Sequence, residues 1–140
     1  MRKLILMLTL GLGSPALAQD AGQVALAGTW TATEAERDGA AVGSLVGHRL
    51  VFDGETFRIS APDGKLLYAG AYEVDPAAQP PRIDFRHDAG EAAGQEWEGI
   101  YQLRGDALTI VDDAPDPAKG RPETFAAPAG SGYVLLVFRR

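Results

Sequence analysis

The feature that most constrains this chain is a two-residue alternation of apolar and polar side chains, broken about every ten residues by glycine, aspartate or proline. Such a period places every second side chain on one face of a strand. Strands are expected near 28–36, 48–53, 55–61, 65–74, 82–87, 96–104, 107–112 and 133–139. The short connections at Gly54 and Asp63-Gly64 suit antiparallel hairpins, because these residues tolerate the positive φ of tight turns. Only Ala40 to Gly47 reads as a helix, and Gly43 and Gly47 keep it short. Its Val42, Leu45 and Val46 are too apolar for an unprotected loop, so this stretch is expected beside one end of the fold.

Alternation also assigns faces. Leu66, Tyr68, Gly70, Tyr72 and Val74 share one side of the fourth strand, Ile83, Phe85 and His87 one side of the fifth, and Trp97, Gly99, Tyr101 and Leu103 one side of the sixth. Charged residues gather opposite them. One apolar sheet face with no helical layer to cover it is buried by closing the sheet on itself. The expected fold is therefore all-β, an eight-stranded antiparallel meander barrel with at most one short helix; a β-sandwich is the alternative. Glu34 and Glu36 share the parity of Trp30, so a regular first strand would aim carboxylates inward at a cost of several kcal/mol. A bulge after Ala32 removes the conflict, and a functional carboxylate inside the barrel is the other reading.

Residues 1–18 have the pattern of a cleaved secretory signal: Arg2 and Lys3, an apolar run from Leu4 to Leu12, and the Ala16-Leu17-Ala18 box. The run is far shorter than the roughly 20 residues of a spanning helix. A single domain over 19–140 is expected to follow, beginning at Gln19 in the periplasm or outside the cell, without membrane insertion and as a monomer. No cysteine is present, so neither a disulfide nor a lipid-bearing N-terminal cysteine is available, and stability rests on the core. Without Arg2 and Lys3, 11 basic residues face 19 acidic ones, a net charge of −8 that disfavours nucleic acid.

Together, Gly28-Thr29-Trp30 and the basic Arg139 at the end of the last strand resemble the lipocalin and fatty-acid-binding signature, in which a glycine-x-tryptophan pair meets an arginine at the closed end of the barrel. The wider set of Ala35-Glu36-Arg37-Asp38-Gly39, Leu50-Val51-Phe52, Gly99-Ile100-Tyr101, Leu108-Thr109, Arg121-Pro122 with Phe125, and Gly130-Ser131-Gly132 is similar to an uncharacterised bacterial family of lipocalin-like domains common in planctomycetes. That resemblance covers about Ala25 to Arg140. It implies a fold and no established activity. It also implies that Trp30 is buried at the closed end under one arginine of the last strand; Arg139 is expected there, because Arg140 at the final position is expected to fray.

No catalytic constellation stands out. His48 and His87 fall on different strands, and no His/Asp/Glu cluster has metal-ligand spacing. Ser44, Ser60 and Ser131 lack a nucleophile elbow, and Glu96 and Glu98 point to the outer face. Asp112, Asp113 and Asp116 read as a solvated surface loop. These readings imply no enzyme, no metal and no cofactor. The expectation is instead a binding module, with Tyr68, Tyr72, Phe85, His87, Trp97 and Tyr101 as candidate ligand-binding residues for a small apolar or amphipathic molecule. A carrier of this kind calls for a cavity of roughly 300 Å³ or more. The alternative is an inhibitor or accessory factor that binds an envelope protein through 113–132, with Pro115, Pro117 and Pro122, or through a flexible 19–24 segment.

Overall fold

The structure is a computed structural model that describes residues 15–114, 116 and 119–140. Residues 1–14 of the expected signal, and Pro115 and Pro117, lie outside the described residues. The chain forms helix α1 (Pro15–Leu26), then β1 (Gly28–Arg37), a two-residue β2 (Ala40–Ala41), a 3-10 turn (Gly43–Leu45), β3 (Arg49–Asp53), β4 (Thr56–Ser60), β5 (Leu66–Asp75), β6 (Arg82–Gly90), β7 (Glu96–Arg104), β8 (Ala107–Asp112) and β9 (Val134–Arg139). From β3 to β9 each strand pairs antiparallel with the next, and β1 pairs with both β3 and β9. The sheet thus closes into an eight-stranded antiparallel barrel, with β2 a short flap on the far end of β1. Closure leaves the barrel no open edge.

Strand ends fall within a residue of those read from alternation, except that β6 runs on to Gly90. The Glu34 conflict resolves as a bulge: Ala32 faces Phe138 and Glu34 faces Val137, so Thr33 is the extra residue. Parity switches there. Trp30 and Ala32 point inward before it and Ala35 after it, while both glutamates reach solvent. Gly70 marks a second irregularity, where β5 slips against β6. A Cβ at Gly70 would collide with the Arg86 carbonyl, so only glycine permits this approach.

The core runs the length of the barrel, from Leu26, Trp30, Phe52 and Tyr72 at one end to Trp97 and Ala114 toward the other. The first end is closed. There α1 lies against β5, with Gln19 Oε1 accepting from Val74 N–H (2.8 Å) and Gln23 Nε2 donating to the Tyr72 carbonyl (3.4 Å). The Trp30 indole N–H donates to the Leu26 carbonyl at 2.8 Å. The helix thus forms at 15–26, where no helix was expected and where 19–24 was read as flexible. Its composition of alanine, leucine and glutamine favours helix, and seating on the barrel stabilises a length that is marginal alone.

The arginine at this end is Arg140 and not Arg139. Its guanidinium carbon lies 4.3 Å from the Trp30 ring centroid, and Nη1 donates to the carbonyls of Ala25 and Ala27. Arg139 is exposed, opposite Thr31 and Ala107. Parity explains the correction: Val134 and Phe138 face inward, which puts residue 140 on the inner side. Fraying is prevented because Arg140 N–H donates to the Asp106 carbonyl (3.3 Å) and the guanidinium meets carbonyls at the C-terminal end of α1.

Residues 119–132 run as a strap along the outside of the barrel. Arg121 Nη1 donates to Asp84 Oδ1 (2.7 Å) and the Gly99 carbonyl (2.9 Å), and Nη2 reaches Glu98 Oε2 (3.4 Å). Farther along, Gly39 N–H donates to the Ala127 carbonyl and Gly132 N–H to Asp38 Oδ1. Pro122 and Ala127 are buried, as are Ile100 and Val111 on the outer side of β7 and β8. The segment expected as a loop offered to a partner is therefore largely consumed in contacts with its own barrel.

Candidate functional site

At the end opposite Trp30 the barrel interior opens into a cavity of about 130 Å³. Its walls are apolar. Leu50, Ile59, Ile110, Leu136 and Phe138 form one part, and Tyr68, Phe85 and Trp97 supply an aromatic part. Leu45, carried by the 3-10 turn, lines it from the side, while Val46 beside it turns to solvent. The Ala40 to Gly47 stretch thus sits beside the mouth, as its apolar content required.

Besides the hydroxyl of Tyr68, three polar side chains line the same space: Arg37 at the end of β1, His48 just before β3, and Asp112 at the end of β8. Register brings the first and last together, since Asp112 faces Val134 and Val134 faces Arg37. Asp112 was expected in a solvated loop but is only 6 % exposed, and Asp113 is 0 % exposed. The reason is strand parity: Leu108, Ile110 and Asp112 all point into the barrel, whereas Asp113 turns outward and accepts Glu98 N–H on Oδ1 (2.9 Å).

Asp112 receives one hydrogen bond among the described residues, from Ala114 N–H to Oδ1 at 3.1 Å. A carboxylate can accept about four. Burial therefore pushes its carboxyl up to about 7; the Ala114 bond and Arg37 act against that rise, and Asp113 adds to it. Arg37 is exposed and makes no ion pair with it among the described residues. The His48 Nδ1 atom is buried without a hydrogen-bond partner there.

The structure distributes the six expected ligand-binding residues in three places. Tyr68, Phe85 and Trp97 line the cavity. His87, expected to bind the ligand, is 2 % exposed and sits behind that wall, its ring 4.0 Å from Trp97, 5.2 Å from Phe57 and 5.6 Å from Tyr68 between centroids. Neither of its nitrogens has a partner among the described residues, and burial lowers its pKa to about 4, so it is neutral at pH 7. Tyr72 and Tyr101 belong to the core away from the cavity, with Tyr72 packed 4.4 Å from Phe52 near the closed end. Burial and the nearby Tyr101 push the Tyr72 hydroxyl up to about 12. Of the signature residues, Gly28 and Trp30 lie at the closed end, where Arg140 takes the place expected of Arg139.

The cavity is less than half the size expected of a carrier, although the interior is not packed solid. Its volume is close to that of a cavity that accepts benzene, about 150 Å³. Long acyl chains do not fit. No helix among the described residues is long and apolar enough to cross a membrane. Comparison with protein-family models, with curated proteins and with solved structures finds no match in any of the three. The fold is that of a closed β-barrel compatible with a lipocalin-like binding module, and any further assignment rests on the cavity itself.

Proposed function

We propose that this chain is an exported, lipocalin-like binding module whose ligand is one compact, mostly apolar molecule of roughly benzene size. The observation that carries the reading is the cavity of about 130 Å³ with mostly apolar and aromatic walls and a few polar side chains in its lining. Apolar pockets with a few placed polar groups are the usual form of small-molecule sites. The reading is binding and not catalysis: among the described residues the polar lining comprises one carboxyl, one imidazole, one guanidinium and the Tyr68 hydroxyl, and no serine, threonine or cysteine stands beside them. The protein-docking alternative loses support, because Arg121 and Pro122 are engaged by the barrel and residues 19–24 lie in α1.

The seating of α1 is compatible with export. The contacts made by Gln19, Gln23 and Leu26 all lie after the Ala16-Leu17-Ala18 box, so a chain beginning at Gln19 keeps them. The kinship with lipocalin-like domains read from Gly28-Thr29-Trp30 is part of the same proposal.

A size series tests the reading. Toluene, naphthalene and palmitate are titrated into the protein while the fluorescence of Trp97 in the cavity wall is followed. Toluene binding, lost in Ala114→Phe, is the expected result. Palmitate binding as tightly as toluene, or no response to toluene up to its solubility, overturns it.

A further inference from the structure

Resting on the pocket proposed above, the polar lining of the cavity points to the ligand's charge. Asp112 is buried among Ile110, Ala114 and Val134 with a single backbone donor, and an uncompensated carboxylate in apolar surroundings is costly. A side chain used only for packing at this inward position of β8 would be apolar, like Leu108 and Ile110 before it. The one cation lining the cavity, Arg37, stays exposed at the mouth. His48 also lines the cavity, and its Nδ1 atom is buried without a hydrogen-bond partner among the described residues. A carboxylate and an imidazole fall short of the four ligands of a zinc site and the six or more oxygens of calcium. A buried carboxylate with spare acceptor capacity does suit an ammonium, which carries three donors.

We propose that the cavity selects a small organic cation, a protonated amine of about benzylamine size, whose ammonium is held by the Asp112 carboxylate while its apolar body lies against Tyr68, Phe85 and Trp97. An anion of the same shape meets the Asp112 charge and has only exposed Arg37 in its favour. The charged and titratable groups that act on Asp112 are Arg37 from β1, Tyr68 from β5 and, through the chain, the outward-turned Asp113.

The test compares benzylamine, toluene and benzoate by ligand-observed NMR at pH 8, in the wild-type protein and in Asp112→Asn. Asparagine keeps an oxygen for Ala114 N–H. A charge-assisted hydrogen bond of the usual strength makes benzylamine bind roughly tenfold or more tighter than toluene in the wild type. Asp112→Asn should remove that preference, so that benzylamine and toluene bind the variant within about threefold of each other. Equal binding of benzylamine and toluene, an unchanged preference in the variant, or tighter binding of benzoate overturns the amine assignment while leaving the pocket itself intact. Failure of all three ligands in the wild type overturns the pocket reading and this inference with it. The wild-type comparison decides the matter without the variant.

Discussion

Replacing Asp112 with asparagine should change how stability depends on pH, in a direction the burial of this group dictates. Its carboxyl rises from the ordinary 3.8 to about 7 in the folded protein. A group whose folded pKa is raised contributes stability that is fully present below its unfolded pKa and lost as pH climbs through the folded value. Asp112 therefore favours the fold below about pH 4, and that contribution fades up to about pH 7. The gap between 3.8 and about 7 corresponds to on the order of 4 kcal/mol. Buried His87 acts the opposite way: lowered from 6.5 to about 4, it favours the fold above pH 6.5 and loses that contribution as pH falls toward 4, on the order of 3 kcal/mol. The two slopes offset each other in the wild type, so the variant is needed to expose either. Urea unfolding of wild type and Asp112→Asn at pH 4, 5, 6, 7 and 8, read by the fluorescence of buried Trp30 and Trp97, gives the difference directly. Relative to wild type, the variant should gain stability steadily from pH 4 to 7 and no further above it. A difference independent of pH would refute burial of Asp112 in the cavity wall, and an opposite slope would show that Arg37 pairs with it.

Other substitutions probe the scaffold. Arg140→Ala should cost about 0.5–2 kcal/mol in thermal or urea unfolding through loss of the Trp30 stack and the α1 carbonyl contacts, while Arg139→Ala should be near neutral. Gly70→Ala should be severely destabilising by the clash with the Arg86 carbonyl, whereas Gly43→Ala, with open space around it, should not; thermal melts of both decide this. Arg121→Ala should expose the 119–132 strap to limited proteolysis before the barrel unfolds, since it removes the bonds to Asp84, Glu98 and the Gly99 carbonyl. The intact mass of protein purified from cells that make it naturally should correspond to a start at Gln19.

The barrel was legible because alternation and turn residues act locally. Ile83, Phe85 and His87 all turn inward as their parity requires, and the Glu34 conflict pointed to the bulge at Thr33. Parity was also the missed signal for the polar lining of the cavity. Extending the Leu108 and Ile110 pattern by one step brings Asp112 inside, but the following Asp113 and prolines made the segment look like a solvated turn. The choice between Arg139 and Arg140 depended on which face of β9 is inner, and Leu135 and Leu136 left both faces apolar there. The contribution of Arg37 and His48 could not be read from spacing at all, since strand pairing between β1, β9 and β8 brings Arg37 near Asp112. The strap and the seating of α1 are long-range contacts of the same kind, between residues tens of positions apart.

The central claim, a barrel that holds one compact ligand, is tested most directly by native mass spectrometry of the protein purified without denaturation from cells that make it naturally. Toluene, added and shown to survive the same conditions, serves as the control. The account predicts one bound species per chain, of mass up to about 150 Da, the scale that a cavity of benzene size admits. Recovery with a long-chain lipid, or only as a stoichiometric complex with another protein, would contradict it.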